Sequence, residues 1–201
     1  MMRILLGLAV ASLTCLGTAH AGDPEACNTG QPAARILACS EMIEASGGKS
    51  EAPALAHFNR GIARAQTGDY KGAVSDFTAA IEARPEFSQA FNNRANSWSA
   101  LRNFDEAIRD YSRALALDPT HLGARVNRGL TYAQAGNAGL AVEDLTDAIG
   151  QAPGEAKLYV IRATLLRGSG DTDAAERDLA KALELEPTNQ QALAMSRRPT
   201  F

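Results

Sequence analysis

The sequence predicts an all-α fold built as a row of repeated helical hairpins. Three observations predict it. The chain repeats itself every 34 residues, most visibly in FNRG (58–61), NNRA (92–95), VNRG (126–129) and VIRA (160–163). Each repeat closes on a proline: Pro85, Pro119, Pro153 or Pro187. Between those prolines the apolar residues recur at the 3.6-residue spacing of amphipathic helices, as in Ala107, Ile108, Tyr111, Ala114 and Leu115. Four rows align without insertion or deletion, which sets chance aside. The bulk numbers agree. The chain has 201 residues, 45% of them hydrophobic but only 5% aromatic, so alanine carries much of the burial and helices must approach closely. A net charge of −3 with scattered basic residues leaves no electrostatic footprint for nucleic acid.

Residues 1–21 read as a secretory signal. Arg3 is followed by an apolar stretch to about Leu16 and by the small-residue site Ala19-His20-Ala21. The stretch is short for a membrane anchor, which needs about 20 residues. Cys15 raises a lipoprotein alternative, although Thr14 stands where a smaller residue is expected. A periplasmic or secreted mature chain beginning near Gly22 is the expectation, with no membrane span after cleavage. Residues 22–53 then form a cap helix with its linker. Cys27 and Cys39 survive cleavage, and an even count in an oxidising compartment favours a disulfide. Pro32 fits a helix's first turn and Gly30 a turn before it, so the chain can return along the helix carrying Cys39. Two buried free thiols are the alternative. His57 and His121 are isolated, and no metal-ligand spacing occurs.

The four rows are 54–87, 88–121, 122–155 and 156–189. Each contains a helix A carrying the arginine of the opening motif and a helix B carrying two alanines seven residues apart. Those alanine columns are Ala73, Ala107, Ala141, Ala175 and Ala80, Ala114, Ala148, Ala182. Gly68, Gly136 and Gly170 can end helix A in a left-handed conformation. Asp69, Asn103, Asn137 and Asp171 follow as caps for helix B, with Asn103 and Glu106 in capping-box register. The prolines stop helix B.

Taken together, these columns resemble the tetratricopeptide repeat family over residues 54–189. In the second unit the family's small, small, large, small and proline positions are Ala95, Ala107, Tyr111, Ala114 and Pro119. Phe91, Trp98, Tyr132 and Tyr159 fall at its bulky places early in helix A; His57 and Arg125 depart from them. The resemblance implies a right-handed superhelical solenoid with helix A lining the concave face. A solenoid needs atypical ends. Residues 31–47 therefore read as a lone helix B, an N-terminal half-unit whose leading segment the disulfide would pin, and 46–53 as a linker. Residues 190–201 are the C-terminal cap, with 190–198 as a short helix and Arg197 and Arg198 toward water.

Where the family usually has leucine, all four units have arginine. One acidic column is equally complete: Asp76, Asp110, Asp144 and Asp178, each 16 residues after its arginine. At about 100° per residue, Asp110 lies about 60° from Ala107 and about 40° from Ala114, so it looks toward its own helix A. Within-unit pairs Arg60–Asp76, Arg94–Asp110, Arg128–Asp144 and Arg162–Asp178 are expected, with bidentate geometry. The rival is a row of arginines for a ligand's carboxylates.

By carry-over from the family, the concave groove is lined by Phe58, Ile62 and Gln66; Asn92, Asn96 and Ser99; Val126, Leu130 and Ala133; and Val160, Thr164 and Arg167. The second unit is an amide patch, and an amide can hydrogen-bond an extended peptide backbone in either direction. An ordinary mixed surface is the alternative, and the lysines of the family's chaperone-tail clamp are missing. No nucleophile stands near a base, so no catalytic residue and no cofactor are expected. Two functions remain: an exported protein–protein interaction module, either scaffold or adaptor, binding a peptide or helix, and a binder of solutes or cell-wall fragments. The oligomeric state is not legible.

Overall fold

A computed structural model describes residues 22–47 and 51–196, with the side chains of residues 51 and 52 outside the description. The export segment, Cys15, Arg197 and Arg198 lie outside the described residues. Those described form eleven helices and no strand: α1 (Pro24–Thr29), α2 (Pro32–Ser46), α3 (Glu51–Gln66), α4 (Tyr70–Ala83), α5 (Ser88–Ala100), α6 (Phe104–Leu117), α7 (Leu122–Gln134), α8 (Ala138–Gln151), α9 (Ala156–Gly168), α10 (Thr172–Leu185) and α11 (Gln190–Ser196).

Local chemistry sets the breaks. Gly68, Gly136 and Gly170 take φ of +85°, +86° and +88° between helices A and B. The second unit has Arg102 there, at φ +61°, a conformation that costs a non-glycine side chain about 1 kcal/mol. The residue before each closing proline is extended: Arg84, Asp118, Ala152 and Glu186 have φ between −136° and −139°. Clash with the proline ring forces that conformation, and helix B stops there. Asp69 accepts the Gly72 amide at 2.9 Å and Asp171 the Ala174 amide at 3.1 Å, as N-caps do. Asn137 makes no such bond, and the capping box expected of Asn103 and Glu106 does not form. Glu106 turns instead to Arg109, three residues on along the exposed face of α6.

Helices pair within units (α3 with α4, α5 with α6, α7 with α8, α9 with α10), and each B helix packs on the next A helix. The inner helices also touch, α3 on α5 and α5 on α7. The result is the right-handed all-α solenoid. Both alanine columns are fully buried, and between them Phe77, Tyr111, Leu145 and Leu179 fill each hairpin. Opposite Phe77 the chain has Gly61, where an added Cβ would come within 2.7 Å of the ring.

At the N-terminus, the leading segment is itself a helix, α1, which the sequence reading did not anticipate. Asp23 caps it, accepting from the Glu25 amide at 2.9 Å. Cys27 and Cys39 are disulfide-bonded and buried. Cys39 directly precedes Ser40 as Phe77 precedes Thr78 and Tyr111 precedes Ser112, so the disulfide occupies the position of the large residue. Six residues of α1 present too little apolar surface to fill a hairpin, and a covalent bond substitutes for it. The linker is shorter than expected, because α2 ends on Gly47 at φ +57° and α3 already begins at Glu51. At the other end α11 keeps the repeat register: Ala192 is buried in the column of Ala56, Ala90 and Ala124.

Candidate functional site

The arginine row lies at the junctions of units. Arg94 Nε is 2.7 Å from Asp110 Oδ2 and its Nη2 is 2.8 Å from Oδ1. Arg128 meets Asp144 at 2.8 and 2.6 Å, and Arg162 meets Asp178 at 2.8 and 2.7 Å, by the same two nitrogens. Arg60 meets Asp76 at 3.0 Å through Nε and 2.7 Å through Nη2. The remaining nitrogen, Nη1, donates in every case to a hydroxyl on the preceding B helix: Ser40 at 2.9 Å, Thr78 at 2.9 Å, Ser112 at 3.0 Å and Thr146 at 2.9 Å. Each arginine therefore ties its own unit to the one before it. In the last unit Ala180 stands in the hydroxyl column, and no arginine follows to use it. Sequence reasoning missed this third column, although Thr78, Ser112 and Thr146 sit two residues after their aspartates.

The four aspartates expose only 2–7% of their surface, so each carboxylate needs the partners it has. Bonding to Asp144 and Asp178 outweighs burial and raises Arg128 and Arg162 above their ordinary values. The first unit is more crowded. Asp76 also accepts from His57 Nδ1 at 3.3 Å and faces Arg64 Nη1 at 2.9 Å. Burial alone would raise the Asp76 carboxyl; bonds from His57 and Arg60, with the charges of Arg60 and Arg64, hold it below the usual carboxylate range. His57, a departure from the family pattern, thus has a polar partner. So has Arg125, which reaches Asp147 and the Pro119 carbonyl, each at 3.0 Å. His121 accepts the Ala124 amide at 3.2 Å, and no group among the described residues is arranged to hold a metal.

The expected groove residues divide by environment. Ile62, Gln66, Asn96, Ser99 and Leu130 line open cavities. Phe58 is committed to a ring cluster, 4.6 Å from Phe87 and 5.9 Å from Phe77. Val126 and Ala133 are half-buried, with Val126 against the core of the last units. Val160 is not on the groove surface: it is 1% exposed, inside the cluster that also holds Ala192 of α11. Arg167 donates to the Met195 carbonyl at 2.8 Å, and Thr164 lies 3.7 Å from the Met195 sulfur. The C-terminal helix therefore occupies this face of the fourth unit.

One cavity of about 270 Å³ opens between α3 and α5, lined by Ile62, Ala65, Tyr70 and Phe77 with Gln66, Asn93, Asn96 and Ser97. A second, of about 200 Å³, lies between α5 and α7 and shares Asn96. An amide row connects them. Asn59 donates to Asn28 at 2.7 Å, and Asn127 donates to Asn96 Oδ1 at 3.1 Å. Asn96 Oδ1 also accepts from the Tyr111 hydroxyl at 2.6 Å, a donor that burial holds protonated by raising its pKa. Both acceptor positions of Asn96 are filled, which leaves its NH₂ as the group offered to a ligand. Asn59, Asn93 and Asn127 each directly precede the ladder arginine, a column visible in the opening motifs that sequence reasoning did not use.

Inner helices touching one another, outer helices between them and a fixed 34-residue period define a helical-repeat protein with a concave binding face. Tetratricopeptide repeat profiles match residues 54–87, 96–166 and 156–189, and the chain belongs to the tetratricopeptide repeat family. No curated protein matches the sequence. Among solved structures it is similar to MamA, at 22% identity and TM-score 0.74, covering 83% of this chain and 94% of that one. It is likewise similar to YrrB, described as a TPR protein with an unusual peptide-binding site, at 20% identity and TM-score 0.72 over 83% and 84% of the two chains. TTC0263, a thermophilic TPR protein of Thermus thermophilus, matches at 18% identity and TM-score 0.62, over 83% and 89%. At these identities the likeness is one of fold.

Proposed function

We propose that this chain is an exported protein–protein interaction module, a scaffold or adaptor that takes an extended segment of a partner along its inner helices. The observation that carries this reading is the amide row, Asn59, Asn93, Asn96 and Asn127, set beside two open cavities. A peptide backbone offers a donor and an acceptor at each residue, and amide side chains match both. That YrrB is described as having a peptide-binding site is consistent with such a use. Export is supported by the Cys27–Cys39 disulfide, which persists in oxidising compartments, and by the leader-like start of the sequence. On this reading 1–21 is the signal, 22–53 the N-terminal cap, 54–189 the four binding units and 190–201 the C-terminal cap. The arginine ladder is structural: its charges are spent within the protein, so it has no guanidinium to offer a ligand carboxylate.

The test is a pull-down from periplasmic extract with the wild type and with Asn93→Ala/Asn127→Ala. The expected result is one defined protein partner, lost in the variant while helicity is retained. Stabilisation by neutral cell-wall glycan fragments in a thermal-shift series, with no protein recovered, would transfer the groove to the solute-binding reading.

A further inference from the structure

We propose that the partner segment is read at two positions three residues apart: an apolar side chain enters the cavity between α3 and α5, and an uncharged polar side chain enters the cavity between α5 and α7. This rests on the groove reading above and specifies what the groove selects.

The two cavities differ in chemistry. The first has a wall of Ile62, Ala65, Tyr70 and Phe77, with amides toward its rim, and about 270 Å³ of space suits Leu, Met, Ile or Phe. The second is smaller and mostly polar, lined by Ser99, Tyr111, Asn127, Thr131 and Gln134, with Leu130 as its apolar member. No lining residue of either cavity is ionised at neutral pH, so neither can compensate a buried ligand charge, and burying an unpaired charge is costly. Ser, Thr, Asn or Gln fits the second. Asn96 forms the shared wall, and its NH₂ is placed to donate to the ligand carbonyl that passes between the cavities. The spacing follows from geometry. Contacting helices lie about 8–10 Å apart. An extended chain advances about 3.3 Å per residue, so one helix step corresponds to about three residues.

The experiment is selection of a phage-displayed random dodecapeptide library on the immobilised mature protein, followed by fluorescence anisotropy on the enriched peptides. The expected result is an apolar residue three positions from Ser, Thr, Asn or Gln, with neither position charged. Replacing the apolar residue by Asp lowers affinity at least tenfold. Ala65→Trp fills the first cavity and erases the apolar preference. Gln134→Glu places a charge at the exposed edge of the second and shifts its preference to Lys or Arg. Gln134→Glu decides the matter alone if Ala65→Trp loses helicity by circular dichroism. Peptides weakened by Asn93→Ala but showing another spacing, a charged position, or indifference to the cavity variants overturn the two-cavity code and leave the groove reading intact. Failure of any peptide to enrich over a blank surface overturns both.

Discussion

The first and second units share a fold and a ladder, yet their aspartates have different surroundings. Asp110 is held by one cation, Arg94, while Asp76 is held by Arg60, Arg64 and His57 together. One carboxylate in the second unit closes a two-body pair; in the first it is the shared anion of three basic groups. The same 16-residue spacing therefore gives an exchangeable pair in one place and a hub in the other. Helix A of the first unit differs from its neighbours at the two extra positions, His57 and Arg64, and both face inward to the same carboxylate.

The largest expected effect is Asp76→Ala. It strands Arg60 and Arg64 and should cost about 3–5 kcal/mol in denaturant melts, more than Asp110→Ala, which strands only Arg94. Equal costs would erase the distinction. The double variants sharpen it. Arg94→Leu alone should be nearly as damaging as the loss of any buried partner, and adding Asp110→Ala should recover much of the loss, a strongly non-additive cycle. In the first unit Arg60→Leu with Asp76→Ala should recover little, since Arg64 and His57 remain. Additive costs at Arg94 and Asp110 would mean that the pair does not act as a unit.

Acid provides the next contrast. Asp76 has a lowered carboxyl pKa in the folded chain, so its contribution is complete above the ordinary carboxylate value of about 3.9 and disappears as pH falls through the lowered one. The stability gap between wild type and Asp76→Asn should therefore be widest near neutral pH and close in acid. A gap that widened on acidification would contradict the assignment. Thr78→Val, which removes the hydroxyl that Arg94 Nη1 uses across the unit boundary, should cost about 1 kcal/mol. Smallest and opposite in sign, Arg102→Gly should stabilise the second unit by up to about 1 kcal/mol, because it gives that turn the residue its neighbours have at Gly68 and Gly136. A loss there would show that Arg102 makes a contact worth more than its strain.

Much of this was legible because repetition makes columns readable. The arginine and aspartate columns stand 16 residues apart inside one hairpin, and a helical wheel is enough to face them. The hydroxyl column was equally regular, but its partner is in the following unit, so no within-unit argument could assign it. The groove was harder for the same reason. Val160 and Arg167 occupy groove positions in the repeat, and only the docking of α11 takes them out of it. Asn103 and Glu106 show the limit of local signatures: the capping-box letters are present, but the closer cation Arg109 claims Glu106. The six-residue helix α1 has no periodicity to read and depends on an aspartate cap and a disulfide.

Ala180 has a consequence for how such a chain can grow. Every internal unit carries both halves of the same fastener: an arginine for the neighbour before it and a hydroxyl for the neighbour behind. A duplicate of residues 88–121 spliced between two existing units would find its fastener complete on both sides and could be accommodated without any new mutation. A copy appended after Pro187 would meet an alanine where its arginine needs a hydroxyl. The molecule is thus directional as a polymer, able to lengthen from within and closed to extension at its tail.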